Sequence, residues 1–68
     1  MNYFEWSTEY EKTALELEAV MDKLKSRRRT ASESEKKELS DKITFYRHCR
    51  NECRDIANHL MQRHRGAA

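Results

Sequence analysis

The sequence contains no proline and a single glycine, at position 66 of its 68 residues. Tight turns between strands are mostly built with Gly, Pro, Asn and Asp. The only asparagines in the interior of the chain, Asn51 and Asn58, lie inside periodic segments. These absences argue against a fold rich in β-strands, and the composition is that of long helices. The length allows one small domain at most.

Long apolar runs are also missing. No stretch approaches the roughly 18 apolar residues of a membrane-spanning helix, and the first residues lack the basic region and apolar region of a secretory signal. The chain has only two cysteines, Cys49 and Cys53, which without a signal peptide suit a reducing compartment. We therefore expect a soluble, cytoplasmic protein.

The net charge is only +2, but the charges are unevenly distributed along the chain. Residues 1–22 carry six acidic side chains against Lys12 alone. Residues 23–42 carry eight basic side chains against four acidic ones, and residues 43–68 carry five arginines against two acidic ones. An asymmetry of this kind influences docking and partner choice rather than the fold.

Apolar residues recur every three or four positions over about residues 3–28, which predicts an amphipathic helix. Phe4 and Leu15 depart from this pattern, because both lie on the side of the helix roughly opposite Leu17. The predicted apolar stripe contains Tyr3, Trp6, Tyr10, Thr13, Leu17, Val20 and Leu24, with Ala14 and Met21 beside them.

A break follows, and we predict a loop over about residues 29–33. Ser32 and Glu35 form a capping-box pattern, in which the hydroxyl accepts from a backbone N–H and the carboxylate reaches back. Thr30 offers the same chemistry two residues earlier, so the sequence leaves two possible boundaries. The loop has no glycine for a left-handed helix cap, which argues against a very tight turn.

A second amphipathic helix is predicted over about residues 34–65. Its apolar stripe spans about 160°, which is wider than one partner helix can cover. The stripe contains Leu39, Ile43, Tyr46, Cys49, Cys53, Ile56, Ala57, Leu60 and His64, and it is bordered by Phe45 and Met61.

The short connection predicts that the two helices fold back on each other. One continuous helix through residues 27–33 is the alternative, and the caps argue against it. A hairpin has a single seam, so much of the second stripe would face water. We therefore predict an all-α fold, an antiparallel helical hairpin of two long helices over residues 1–68 that pairs into a dimeric four-helix bundle of coiled-coil type. A larger helical partner is the competing way to cover the same surface.

Four of the six aromatic residues lie among the first ten positions, where they could anchor a partner or plug the end of a bundle. We favour the plug. The residues expected at a dimer or partner interface are Phe4, Trp6, Tyr10, Leu15, Phe45, Ile56 and Met61.

Cys49 and Cys53 are separated by one helical turn on the predicted core face. Two thiolates at this spacing can share a metal ion, and a two-fold dimer could supply two more. Free cysteine is more often a small buried core residue, and we interpret this pair in that way. No metal or other cofactor is expected.

Basic residues crowd the predicted turn and could hold the phosphates of a nucleic acid. Five arginines of the second helix could extend such a surface. No aromatic residues are interleaved with the arginines and no third helix is present to make a helix-turn-helix, so a solvated, charge-paired turn is favoured. The candidate nucleic-acid contacts are Lys25, Arg27, Arg28, Arg29, Lys36 and Lys37.

The opening Asn2-Tyr3-Phe4-Glu5-Trp6-Ser7-x-Glu9-Tyr10, together with Tyr46 and Glu52-Cys53, resembles small helical proteins encoded by prophages and integrative elements of Firmicutes. The resemblance implies no activity. It implies a bacterial, cytoplasmic context in which short proteins often bind a host or phage protein.

No nucleophile and base are supported by a pocket, and two helices rarely build one, so we do not expect an enzyme. The sequence favours a non-enzymatic protein–protein interaction module, a small homodimeric regulator or adaptor. The alternative is a protein that binds nucleic acid through the basic turn and the basic face of the second helix.

Overall fold

Two long helices form the protein in the computed structural model, which describes residues 2–67. Helix α1 spans Tyr3–Arg28 and helix α2 spans Glu33–Ala67, and the described range contains no strand. The helices pack against each other along their length, in a rod that measures 53 × 14 × 14 Å. The predicted helical hairpin is confirmed, and the alternative of one continuous helix is wrong.

Helix α1 begins where the sequence predicts, because Asn2 caps its first turn. The Asn2 side-chain Oδ1 accepts a hydrogen bond from the backbone N–H of Glu5 at 2.8 Å, and the Asn2 carbonyl accepts from the N–H of Trp6 at 3.1 Å. Asparagine is among the preferred residues at this position, since its short side chain satisfies an N–H that the helix leaves free.

The turn is tight although it contains no glycine. The backbone N–H groups of Arg29, Thr30 and Ala31 each donate to the carbonyl three residues earlier, at 3.3 Å in all three cases. These bonds tighten the end of α1 and satisfy carbonyls that the helix leaves free. Arg29 keeps a right-handed helical conformation, with φ −60° and ψ −32°. The missing glycine argued against a very tight turn, and that expectation is wrong because the end of α1 tightens without a left-handed residue.

Ser32 caps α2, which resolves the two boundaries that the sequence left open. Its Oγ accepts from the N–H of Glu35 at 3.4 Å, and its carbonyl accepts from the N–H of Lys36 at 2.8 Å. The Thr30 hydroxyl instead lies 3.5 Å from the Arg27 carbonyl, on the α1 side of the turn. Among the described residues, the carboxylate of Glu35 does not return the bond of a full capping box.

Helix α2 is slightly longer than the predicted range of 34–65. It starts at Glu33 because Ser32 takes the capping position, and it continues through Gly66 to Ala67. No described residue has a positive φ, so Gly66 keeps a helical backbone. A glycine in a helix costs about 1 kcal/mol relative to alanine without breaking it.

Three contacts between the helices fix an uninterrupted antiparallel register. Arg28 reaches Ser40 at 3.2 Å, and Glu18, ten residues back along α1, reaches Arg50, ten residues on along α2. A further fourteen residues along each helix, the rings of Phe4 and His64 lie 5.8 Å apart. No residue is skipped in either helix, so the seam continues from the turn to the open end of the hairpin.

The large buried side chains concentrate near the turn. Ile43 is only 2% exposed, and Ala31 of the turn and Tyr46 of α2 pack against the same cluster. Its buried members are Met21, Leu24, Leu39 and Ile43. Further from the turn the buried residues are small, namely Ser7, Ala14 and Ala57, so the seam there holds little apolar volume.

Helix α1 presents a different line of residues to the seam than its apolar pattern predicts. Ser7, Ala14 and Met21 are buried, whereas Trp6, Thr13 and Val20 are exposed. The buried line lies one position further round the helix, because the two helices follow a seven-residue repeat in which one partner covers only a narrow seam.

The repeat places residues of α1 and α2 together at eight levels along the hairpin. Polar and small residues occupy several of the levels. From the turn to the open end, the repeat sets Arg28 level with Leu39, Leu24 with Ile43, Met21 with Tyr46, Leu17 with Arg50, Ala14 with Cys53, Tyr10 with Ala57, Ser7 with Leu60, and Tyr3 with His64. The contacts Arg28–Ser40, Glu18–Arg50 and Phe4–His64 lie one position to the side of these pairs.

Candidate interaction surface

The seam divides the surface of the rod into two sides of different chemistry. Glu18 of α1 contacts both Arg50 and Arg54 of α2 on one side of the seam. These contacts identify the positions of the two helices that meet on that side. In an antiparallel pair the equivalent positions of the repeat on each helix share a side. The other side of the seam carries the residues that come one position before certain seam residues. Those seam residues are Ser7, Ala14 and Met21 on α1 and Arg50 and Ala57 on α2.

The polar flank, defined by Glu11, Glu18 and Lys25 of α1 and Ser40, Arg47 and Arg54 of α2, is held by charge. Arg50 donates to the Glu18 carboxylate at 3.5 Å and Arg54 donates to the same oxygen. About a third of the Glu18 side chain is exposed, and less of Arg50. Arg50 therefore fills a seam position beside the apolar Leu17 without leaving its charge unpaired.

The apolar flank, on the other side of the seam, carries hydrophobic side chains that the hairpin covers only in part. Trp6 is 49% exposed, and Val20 and Ile56 are close to 40%. Trp6, Tyr10 and Thr13, together with Glu9, line an open concave surface of about 340 Å³ on α1. The flank consists of Trp6, Thr13 and Val20 of α1 and Cys49 and Ile56 of α2, with the half-buried Tyr10, Leu17, Cys53 and Leu60 along its edge.

Four of the seven residues expected at an interface lie on this side of the rod. Trp6 and Ile56 belong to the apolar flank, Tyr10 lies along its edge, and Phe45 lies one step further from the seam. Phe45 is 63% exposed and its ring stands edge-on to Tyr46 at 5.6 Å. The hairpin therefore places these four, from two helices, on the same side of the rod, with Phe45 near the turn and Trp6 near the open end.

The other three expected interface residues lie elsewhere. Phe4 rests on His64 at the open end, Met61 is half-buried at that end on the side of the polar flank, and Leu15 points outward from α1 with 61% of its surface exposed. The seven residues thus do not form one surface.

The aromatic cluster is open to solvent in the hairpin, and the plug expected at the end of a bundle stays a prediction. Tyr3, Phe4 and Trp6 are all exposed and lie on different sides of α1, and among the described residues the ring beside Phe4 is the tilted ring of His64 rather than another member of the cluster. One seam leaves the end of the hairpin open, so the rings have no enclosed space to fill.

Cys49 and Cys53 are not buried core residues, contrary to the sequence-based interpretation. Both are free thiols and only half-buried, because Cys49 lies on the apolar flank and Cys53 lies along its edge. Within the described residues no group of three or more His, Cys, Asp or Glu side chains could hold a metal ion.

Basic residues at the turn separate into two groups. Lys25, Arg28, Arg29 and Lys36, with Ser40, line one concavity of about 490 Å³, and Arg27 and Lys37 do not line it. On α2, Arg50 and Arg54 are engaged by Glu18, so the basic face of the second helix is partly neutralised.

The apolar pattern of the sequence does not identify Val20 and Cys49 as surface residues or Glu18 as the residue that joins the helices. A strict seven-residue repeat through Ser7, Ala14 and Met21 is the signal that could have found them. Buried serine and alanine contribute little to an apolar pattern, so the larger Trp6 and Val20 dominated it.

Comparison of the chain with models of protein families, with curated proteins and with solved structures gives no match. In the part of the chain that the structure describes, neither helix contains an apolar stretch long enough to cross a membrane. The resemblance to proteins of prophages and integrative elements therefore stays a prediction.

Proposed function

We propose that this chain is a non-enzymatic protein–protein interaction module that acts as a homodimer, in which two hairpins pack through their apolar flanks into a four-helix bundle. The observation that carries the proposal is the apolar flank itself, which both helices build and neither covers. A hydrophobic side of a helix pair needs a second layer, and the four-helix bundle supplies one.

The exposed area of the hairpin supports this proposal. The chain exposes 5373 Å², whereas a compact monomer of 8.2 kDa exposes about 4,500 Å². The radius of gyration is 15.6 Å, against about 11 Å for a compact domain of this length. The excess area, about 850 Å², is close to the roughly 800 Å² that each partner buries in a standard protein interface.

A second copy suits the apolar flank better than an unrelated partner. In a two-fold dimer the same surface patch meets itself, so it must be self-complementary. The middle of the flank, from Trp6 to Val20 and from Cys49 to Ile56, carries no charge at its positions in the repeat, and the charged Arg27, Lys42 and Arg63 lie beyond its ends. Apolar surface therefore meets apolar surface along the middle of the flank, and Glu9 lies beside Trp6 and Thr13.

Dimerisation leaves the polar flank and the turn facing outward. Those surfaces are free to contact another molecule, which suits a small regulator or adaptor of the kind that the resemblance to mobile-element proteins implies. The dimer is then the folded unit, and contacts with other molecules are made from its outer sides.

Light scattering coupled to size-exclusion chromatography, over a range of protein concentrations, tests the proposal. We expect a mass of twice 8.2 kDa, with dissociation and loss of helical circular dichroism on dilution. A well-folded monomer at every concentration would overturn the four-helix bundle.

Matched aspartate variants locate the interface. Val20→Asp and Ile56→Asp place a charge on the apolar flank and should shift the chain towards monomer, because a buried charge without a partner is strongly unfavourable. Leu15→Asp is the control, since Leu15 is more exposed than either residue and points away from the flank. Equal effects of the three substitutions would contradict this interface.

A further inference from the structure

The concave surface at the turn, called here the basic notch, is lined by four cations and one hydroxyl group. Lys25, Arg28 and Arg29 come from the end of α1, and Lys36 and Ser40 come from the first turns of α2. The notch has a volume of about 490 Å³ and is open to solvent. No carboxylate lines it, although residues 23–42 include four acidic side chains.

Arg28 is the cation of the notch that a hydrogen bond between the helices positions. It occupies a seam position beside Leu39, is half-buried, and donates a hydrogen bond to the neutral Ser40 hydroxyl at 3.2 Å. Within residues 2–67, the ion pairs between side chains do not include Arg28. A partly buried guanidinium whose neighbours are cations and a hydroxyl is a position that favours an added anion.

One acidic side chain near the notch, Glu33, competes only weakly for its cations. Glu33 contacts Lys36 at 3.6 Å, but 94% of its side chain is exposed. Surface pairs of this kind contribute little, so a doubly charged ligand that contacts several cations at once can displace the pair.

We propose that the basic notch binds a phosphate group, either from a nucleic-acid backbone or from a free phosphate ester. The Arg28 guanidinium donates its fork of N–H groups to two phosphate oxygens, the Ser40 hydroxyl donates to one of them, and Lys25, Arg29 and Lys36 supply further charge. The notch contains no aromatic ring on which a base could stack, so recognition is of the phosphate and not of the base sequence.

The notch is independent of the proposed dimer. Lys25 and Ser40 belong to the polar flank, on the side of the rod opposite Trp6, Val20 and Ile56. It therefore stays open when the apolar flanks are paired, and a dimer presents two notches.

Two probes identify the source of the phosphate: inorganic phosphate and a short DNA duplex labelled with a fluorophore. Backbone amide NMR shifts that move around Arg28 and Ser40 with either probe support the site. Shifts with inorganic phosphate alone assign it to a small phosphate ester, and anisotropy that rises with the duplex assigns it to nucleic acid. No shift at the notch with either probe, at low salt, would overturn the proposal.

A matched pair of double variants separates the notch from general positive charge. Lys25→Ala with Arg29→Ala removes two exposed cations of the notch, and Arg27→Ala with Lys37→Ala removes two cations of the same turn that lie outside it. We expect the first double variant to lower the affinity for the bound probe about tenfold or more at low salt. For the duplex, it should also reduce the slope of log K against log salt by about 2. The second pair should change affinity by less than about threefold.

Two results would contradict a phosphate site. Equal losses in the two double variants would show that binding follows net charge rather than the notch. Displacement of the duplex or of phosphate by an acidic peptide of equal charge at equal concentration would show that the notch does not distinguish phosphate from carboxylate. Arg28→Lys, which keeps the charge and removes the fork, should weaken binding while circular dichroism reports an intact helix.

Discussion

Ile43 is the side chain on which the stability of the hairpin most depends. It is 2% exposed and packs with Met21, Leu24 and Leu39. We expect Ile43→Ala to lower the free energy of unfolding by about 2–4 kcal/mol, because it removes transfer energy and leaves a cavity. Urea denaturation followed by circular dichroism measures the change.

Leu15→Ala is the control for Ile43→Ala, because it also truncates an aliphatic side chain but at a position that is 61% exposed. Its cost should stay within about 0.5 kcal/mol. A comparable loss in both variants would show that Leu15 is buried in solution.

Glu18 is the second residue on which the seam depends. Glu18→Gln removes the charge that Arg50 and Arg54 share, and the half-buried Arg50 is left in the seam with weaker partners. We expect a loss of about 1 kcal/mol at low salt, since all three side chains are partly exposed and solvent reduces the effect. The difference from wild type should shrink in 1 M salt, where the Debye length is about 3 Å.

Glu11→Gln tests whether position or charge matters in that result. Glu11 occupies the same place in the repeat one heptad earlier, is exposed, and takes part in no ion pair between side chains of residues 2–67. Its substitution should leave thermal unfolding almost unchanged. Equal effects of Glu18→Gln and Glu11→Gln would assign the loss of stability to net charge.

At the scale of the helices, the sequence predicts most of what the structure contains. Three- and four-residue spacing and the cap at Ser32 are local properties, so both helices and the turn could be placed within one or two residues. The line of α1 that enters the seam could not be placed in the same way. It depends on which partner helix packs against α1, and that partner selects the small Ser7 and Ala14 over the larger Trp6 and Val20.

Ser32 gives a direct test of the boundary of α2. Ser32→Ala removes the acceptor of the Glu35 N–H and should lower stability by about 1 kcal/mol, as expected for a lost helix cap. Thr30→Ala is the control, because the Thr30 hydroxyl contacts a carbonyl of α1 and caps no N–H of α2. A larger drop in the unfolding temperature for Thr30→Ala than for Ser32→Ala would place the cap at the earlier residue.

At the scale of the molecule, the hairpin joins residues that are far apart in the sequence into surfaces with one chemistry each. Trp6 and Ile56 reach the same flank because the register is continuous, and Lys25 and Ser40 reach the same notch for that reason. The sequence identifies several residues of each surface, but it does not show on which side of the rod each one lies. Leu15 and Phe45 are equally apolar in the pattern, yet they lie on different sides. The partition into an apolar flank and a polar flank is a property of the pair of helices.

The two cysteines lie at a level of the hairpin that makes them reporters of the dimer. The levels run from Tyr3 with His64 to Arg28 with Leu39, and Cys49 and Cys53 lie on either side of the middle. A two-fold axis along the rod, or one across its middle, places each of these residues near the level of its counterpart in the second copy. Both thiols are only half-buried beside the apolar flank, so the proposed dimer brings cysteines of two chains close together.

Mild oxidation of the wild-type chain with oxidised glutathione should therefore give a covalent dimer. Two thiols lose their protons and two electrons, and the glutathione disulfide is reduced to two thiols by exchange. A bond between Cys49 and Cys53 of one chain is disfavoured, because a regular helix does not provide disulfide geometry at this spacing.

Non-reducing electrophoresis should show the dimer band for wild type, a weaker band for Val20→Asp, and none for Cys49→Ser with Cys53→Ser. Leu15→Cys in the background without the native cysteines is the control for random collision, since Leu15 points away from the apolar flank. A band as strong from that control as from wild type would contradict a dimer built on the apolar flank.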